Sequence, residues 1–377
     1  MKRPEIIANI LVLTALFSML TAGCKNDADG DAGVEKPAVA SVCVFYTPGS
    51  LGDGAYSDTL CYGVHKIALE KNLSVMDVCP AHWQDAEETV GMLLKTVGQV
   101  TGLKTLYIFA DALYGSYLSP LLDKKLNNET FLLLDSRERS EQNLNSVFIS
   151  FYGTSYLAGL AAKELLSAKQ SPRVLSVLAN DSSEVLLDSL KGFALGYGVE
   201  ENAITIRNAF PAEGIGPDYF SEVSTGAFCA VRLSDSQGYY AGYKNAGFIY
   251  NAASVIQAAF PFDFYFPLCG SSIQGLLRYN REKGDKSFYT AGIDIDYSPY
   301  AKQVPFSIVK HIDKVAGDCI IKWLDGKLPH HQELRMGKDV MELVVSPDYA
   351  FLNKTVKAAE ADAAKKEEAY ENAKAKK

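Results

Sequence analysis

Short runs of apolar, β-branched and aromatic residues alternate along this chain with stretches whose apolar residues recur at helical spacing, and the alternation runs through twice. Strands are expected at Val42 to Tyr46, Leu73 to Cys79, Thr105 to Ala110, Thr130 to Asp135 and Val147 to Phe151. Between them lie helices at Asp58 to Lys71, Asp85 to Val100, where Asp85 and Glu88 suggest a capping box, and near Tyr114 to Lys125. A helix from Gly153 opens the second round. It continues with strand Val174 to Ala179, helix Glu184 to Tyr197, strand Ile204 to Asn208, helix Lys244 to Ala259 and strand Phe264 to Leu268. A glycine-containing turn at Gly270 to Gly275, a short helix and strand Phe288 to Ile293, ending at Asp294, complete it. Strands that read as unbroken apolar runs are buried on both faces, so the expected fold is α/β: two doubly wound parallel-sheet lobes. A chain of 377 residues is long enough for two cores. Helix Ser307 to Leu324 is a candidate for return to the first lobe, and Glu342 to Val345 is a late strand. The lobes therefore interleave through a multi-crossover hinge, residues 41–150 and about 304–335 in one, 151–303 and about 336–352 in the other. Residues 353–377, rich in alanine, lysine and glutamate, read as a charged terminal helix or frayed tail.

The first residues read as a targeting segment. Lys2 and Arg3 precede an apolar run, Ile6 to Leu20, that is too short to span a bilayer comfortably. Leu20-Thr21-Ala22-Gly23-Cys24 resembles a bacterial lipobox, although Thr21 replaces the usual aliphatic residue. Cys24 would then be diacylated and become the mature N-terminus once residues 1–23 are removed, and residues 24–40 would form an acidic tether. Asp27, Asp29 and Asp31 in that tether do not make a calcium loop, because Ala38 stands where the bidentate glutamate belongs. The formal net charge of −8 and the lack of a basic stripe argue against a nucleic-acid partner. Cys43, Cys61, Cys79, Cys229, Cys269 and Cys319 form no paired motif.

Candidate site residues fall where an open sheet presents ligands, at strand ends and in the loops after them. The loop Gly49 to Asp58 follows the first strand, with Asp53 and Tyr56 in it and Ser57 placed to cap the next helix. Asp135 follows the fourth strand, and Asn180 and Asp181 follow the first strand of the second lobe. Phe266, Gly270, Asp294, Asp296 and Lys310 come later. Enzyme signatures are weak. The glycines are spaced G-x-x-G-x-G, no Walker lysine follows, and no nucleophile elbow appears. Asp294 and Asp296 have no histidine near them in sequence, which disfavours a metal. His65 and His311 sit in helical patterns, and His330 and His331 follow Pro329 in a turn, none with a recognisable acid or cysteine partner. The residues read as a binding protein without catalytic group, cofactor or metal.

From about Val42 to Val345 the chain resembles the basic membrane protein family, the PnrA-like purine-nucleoside-binding lipoproteins of ABC importers, which have a type I periplasmic-binding fold. The carriers are the first glycine loop, Phe131 to Ser136, Gly153 to Ala162, Gly270 to Gly275, the Gly292-Ile293-Asp294-Ile295-Asp296 run and Ser307-Ile308-Val309-Lys310. The resemblance implies a purine nucleoside ligand, an ABC permease partner, a lipid anchor in the cell envelope and a single-copy receptor. It also implies roles: Asp294 accepting two ribose hydroxyls, Lys310 at the start of the returning helix contacting ribose, Tyr56 and Phe266 stacking on the base from opposite lobes, and Asp135 meeting purine N–H groups. Tyr56 and Ser57 replace the family's Phe and Asn, Asn180-Asp181 stands where many members have a glycine pair, and Ser271-Ser272 replaces a Gly-Thr step. A sensor or receptor of the same fold for a sugar or signal molecule is the alternative reading, and a nucleosidase-type enzyme, which would need a general base or metal, is the third.

Overall fold

A computed structural model describes residues 37–99, 102–121, 124–138, 143–179, 183–209, 228–233, 244–284 and 287–375. The expected signal segment, Cys24 and most of the tether lie outside these residues, as do Asn180 and Asp181. Strand β1 (Ala40–Phe45) is buried on nearly every residue, as its apolar run requires. After it come α1 (Tyr56–Lys71), β2 (Leu73–Val78), α2 (Trp83–Thr96), β3 (Thr105–Phe109), the one-turn α3 (Gly115–Leu118), β4 (Glu129–Leu134) and β5 (Leu144–Ile149). The five strands pair in parallel, with β1 lying between β2 and β3. The second lobe runs α4 (Tyr152–Leu165), β6 (Val174–Leu178), α5 (Glu184–Tyr197), β7 (Ile206–Ala209), β8 (Phe228–Leu233), α6 (Ala246–Ala259), β9 (Phe264–Leu268), α7 (Ile273–Lys283) and β10 (Tyr289–Thr290). Its sheet is also parallel, in the order β10-β9-β6-β8-β7.

The chain then returns. β11 (Gly292–Asp294) pairs in parallel with β12 (Phe306–Lys310), α8 (Ile312–Leu324) packs on α1 of the first lobe, and β13 (His331–Leu334) adds a sixth strand beside β5. β14 (Met341–Val345) pairs antiparallel with β12, and α9 (Leu352–Lys374) lies along α4. The two lobes are thus joined by several crossovers and by a small third sheet.

Several elements differ from expectation, and β8 and β13 have no counterpart among the expected strands. The stretch from Ser307 is a strand through Lys310 before it becomes a helix, since Phe306 and Ile308 are buried in the pairing with β11 and β14. The helix near Tyr114 is a set of short turns, Ala112–Tyr114, α3 and Ser119–Leu121. The second helix starts earlier, with His82 as cap and the Asp85 carboxylate accepting the His82 N–H at 3.0 Å. Ser57 does not cap α1; it lies inside the helix, and its hydroxyl donates to Ser50 Oγ at 2.6 Å.

Glycines set a close helix crossing between α4 and α5. A Cβ on Gly196 of α5 would lie 2.0 Å from the Tyr156 carbonyl oxygen of α4, and one on Gly159 would lie 2.1 Å from the Phe193 carbonyl oxygen. Backbone sits against backbone there, and neither helix can yield without moving whole. Gly196→Ala is expected to destabilise by about 1–3 kcal/mol in urea unfolding. Gly91→Ala, on α2 with nothing within 4 Å of its Cβ position, should be neutral or gain up to about 1 kcal/mol.

Candidate functional site

In the first sheet the strand order turns about β1, between β2 and β3, and in the second about β6, between β8 and β9. At such switch points the loops leave in opposite directions and open a crevice beyond the strand ends. A cavity of about 400 Å³ occupies that place, lined by the segments after β1, β3 and β4 on one side. The start of α5 and the ends of β9 and β11 line the other, with Lys310 from the end of β12.

The glycine loop builds one wall. Gly49, Gly52 and Gly54 all take left-handed φ, at 68°, 78° and 63°. Most of its amides are already satisfied. Gly52 N–H and Gly54 N–H each donate to the Asp58 carboxylate at 2.7 Å, while Asp53 accepts from Ala55 N–H at 2.7 Å and from Ser57 N–H at 3.1 Å. Asp53 therefore satisfies the first N–H groups of α1 from just outside the helix, whose N-cap position is Ala55. The loop holds its own shape and offers no cradle of free N–H groups to a phosphate.

Charge is concentrated opposite. The Lys310 ammonium, almost fully buried, donates to Asp135 Oδ1 at 2.6 Å and lies 4.7 Å from the centre of the Tyr56 ring and 5.1 Å from that of Phe151. The Tyr56 hydroxyl donates to the Ala110 carbonyl at 3.1 Å, and burial holds its pKa well above the ordinary value. One face of the Tyr56 ring is thus taken by the ammonium. Asp135 and Asp294 both adopt left-handed φ, at 54° and 70°, a conformation that costs a non-glycine residue energy and aims each carboxylate off its strand end. Asp294 differs from Asp53 and Asp135 in having no hydrogen-bond donor among the described residues. Burial raises its pKa from the ordinary 3.8 to about 6, against the pull of Lys310, with Asp53 and Asp135 adding to the rise. Burial likewise lifts Asp111 to about 6.

Asp53, Tyr56, Ser57, Asp135, Gly270, Asp294 and Lys310 all line this cavity. Phe266 does not. It shares a face of β9 with Leu268, which does line the cavity, but sits two residues back from the strand end, fully buried with its ring stacked on Phe193 at 3.9 Å. The expected aromatic pair from opposite lobes is therefore absent among the described residues. Tyr56 and Trp83 come from the first lobe and Phe151 from the crossover that follows β5, while the second lobe presents Val185, Leu186, Leu268 and Ile293. Asp111, Trp83 and Arg137 were not anticipated, although the strand-end rule that found Asp135 applies equally to Asp111 after β3. The histidines do have partners, supplied by neighbouring strands: His65 Nε2 meets Asp77 Oδ2 at 2.7 Å, His311 Nε2 meets Glu342 Oε1 at 2.9 Å, and His331 Nδ1 meets Ser146 Oγ at 2.7 Å.

Behind the cavity, Arg137 joins both lobes and the C-terminal helix. Its guanidinium lies 3.6 Å from the centre of the Phe148 ring and contacts Asp188 at 3.1 Å and Glu371 at 2.6 Å. Glu371 also accepts from Ser150 Oγ at 2.7 Å, and Glu367 accepts from Gly153 N–H at 3.1 Å and Met336 N–H at 3.0 Å. The charged stretch expected as a plain helix or tail therefore carries two buried carboxylates that bind two separate hinge crossovers.

The sequence matches no family model, and no curated protein is similar to it. Solved structures are. An ABC-transporter solute-binding protein from Aeropyrum pernix K1 is 15% identical with a TM-score of 0.62, over 85% of this chain and 80% of that one. A carbohydrate-transporter solute-binding protein from Agrobacterium radiobacter, in complex with D-arabinose, is 13% identical with a TM-score of 0.56, over 85% and 98%. A transcriptional activator of the comK gene from Bacillus halodurans is 14% identical with a TM-score of 0.57, over 85% and 96%. The fold is type I periplasmic-binding-protein-like. At these identities the likeness establishes the architecture, and the neighbours include both transport receptors and regulators.

Two outcomes follow from the site's charges. Between pH 3.8 and about 6 the unfolded Asp294 is ionised while the folded one keeps its proton, so its contribution to stability falls as pH rises through that window. Asp294→Asn should therefore gain on the parent protein by about 2 kcal/mol across it, read from urea unfolding at both ends. Glu371→Ala removes one carboxylate from Arg137, which keeps Asp188 and Glu184, and the acceptor of Ser150, and should cost about 1–3 kcal/mol by the same measurement.

Proposed function

We propose that this protein is a lipid-anchored extracytoplasmic receptor that closes its two lobes on a purine nucleoside and delivers it to an ABC-type importer, without chemistry of its own. The observation that carries the reading is Asp294: a half-buried carboxylate on the cavity wall, with no donor among the described residues and a compensating lysine nearby. Two adjacent hydroxyls of a ribose match its two oxygens, and each such charge-assisted hydrogen bond is stronger than a neutral one. The free face of Tyr56, with Trp83 and the aliphatic side chains of the second lobe, would enclose a flat base, in a volume within the usual range for small-molecule sites. Asp135 is already paired with Lys310, so it would meet purine N–H groups only through its remaining lone pairs. Cys24 would hold the lipid, with the acidic segment after it as tether. The PnrA-like resemblance and the solute-binding neighbours support this reading together.

A second reading is favoured by one specific observation. Among the described residues the second lobe's wall carries aliphatic and small polar side chains and no second ring, and a neighbour of this fold is in complex with D-arabinose. A monosaccharide would use the same carboxylate.

Melting the full-length protein in detergent, stripped of ligand by partial unfolding, against purine and pyrimidine nucleosides, free bases and ribose separates the readings. Purine nucleosides alone should raise Tm, and Asp294→Ala should weaken their binding by roughly 10–100-fold. Stabilisation by ribose without the base would transfer the assignment to sugars, and no shift with any of them would overturn nucleoside binding. Because only the ionised carboxylate accepts from both hydroxyls, affinity should also fall as pH drops through about 6, in titration calorimetry of the parent protein.

A further inference from the structure

Away from the cavity, on the outer side of the first lobe, three side chains of different donor type converge. Cys61 and His65 stand one turn apart on α1, so both project from the same face of the helix. That face lies over β2, the edge strand, where Asp77 is positioned by its pairing with Val44 of β1. The Cys61 sulfur, a His65 ring nitrogen and an Asp77 oxygen all lie within 4.8 Å of one another. Tyr46 donates its hydroxyl to Asp77 Oδ1 at 2.7 Å, which leaves Oδ2 turned toward His65.

We propose that Cys61, His65 and Asp77 form a binding site for a transition-metal cation, zinc(II) above all. The donor set is the first argument. A thiolate, an imidazole and a carboxylate suit a borderline-soft ion and do not suit calcium or magnesium, which take oxygen ligands. Geometry is the second. A nucleophilic relay would hold the thiol and the carboxylate on opposite nitrogens of the imidazole, well apart, whereas here all three donor atoms are mutually close, as ligands around one ion must be. A small rotation of the His65 ring, which is about half exposed, would open its 2.7 Å contact with Asp77 to admit the ion. The Tyr46 hydroxyl fixes the carboxylate from behind, the supporting role such partners play around metals. Three protein ligands leave a fourth position for water. The ion would pin α1, whose N-terminus forms the ligand-facing loop, to the edge strand.

Cobalt(II) titration of the full-length protein, purified in detergent without a histidine tag, tests the site. One equivalent should bind with a thiolate-to-metal charge-transfer absorption and tetrahedral ligand-field bands, and zinc should displace it and raise Tm. Cys61→Ser should abolish the charge-transfer band and His65→Ala the tight binding, both with apo melting temperatures unchanged, while Cys79→Ser keeps the full signal. No charge-transfer band in the parent protein, or the same band in Cys61→Ser, would overturn the proposal. Because neither substitution touches the cavity, nucleoside stabilisation of the variants is measured separately and its presence or absence bears only on the other site.

Discussion

A lysine ammonium held almost out of water needs its charge met, and the Lys310–Asp135 contact does this where the third sheet meets the end of β4. Left alone, either charge would cost several kcal/mol; together, with two aromatic rings against the ammonium, they fix the ends of two strands from different parts of the fold. The contact has two consequences. It spends the lysine and one carboxylate on structure, and it places a positive charge close enough to soften the burial of Asp294 without bonding to it. Asp294 is left for a ligand with open acceptor positions, held off the end of β11 by a left-handed backbone.

The hinge is organised by a related device. Crossovers at Ser150 to Gly153 and at Met336 each bond to a buried glutamate of α9, and Arg137 connects that helix to α5 across the lobes. Lys374 and Tyr370 add contacts to Asp188, at 2.6 Å and 2.7 Å. Lobe motion in this architecture must rotate about those crossovers. A helix clamped onto them sets how far they can turn, and Arg137, which also lines the cavity, would lose or keep its partners in the second lobe as the lobes part.

Much of this was written legibly in the sequence where local and tertiary preferences agree. Glu184–Tyr197 and Phe264–Leu268 run as expected because each is a continuous apolar or amphipathic segment ended by a turn, Gly198 with φ 103° in the first case. Strand-end logic likewise brought Asp53, Tyr56, Asp135, Asp294 and Lys310 to one cavity. Failures have physical causes. β12 runs into α8 with a single residue between, so their apolar residues merged into one helical pattern. β13 is a half-exposed edge strand of sequence HQEL, with no apolar alternation to reveal it. β8 is a short buried run beyond a long stretch without clear periodicity. Phe266 was lost to depth along the strand: it faces the same side as Leu268, which meets the cavity, but lies two residues further from the strand end and is covered by Phe193. Glu367 and Glu371 are hidden by composition, because a glutamate that binds a buried amide looks like one that faces water.

The central claim is that a nucleoside occupies the cavity through Asp294. Native mass spectrometry of the protein isolated gently from the cells that make it, followed by denaturation and identification of what is freed, tests it most directly. A purine nucleoside bound one to one, and missing from Asp294→Ala prepared in parallel, is the expected result. A sugar or another solute in its place, or equal nucleoside occupancy in the variant, would contradict the account.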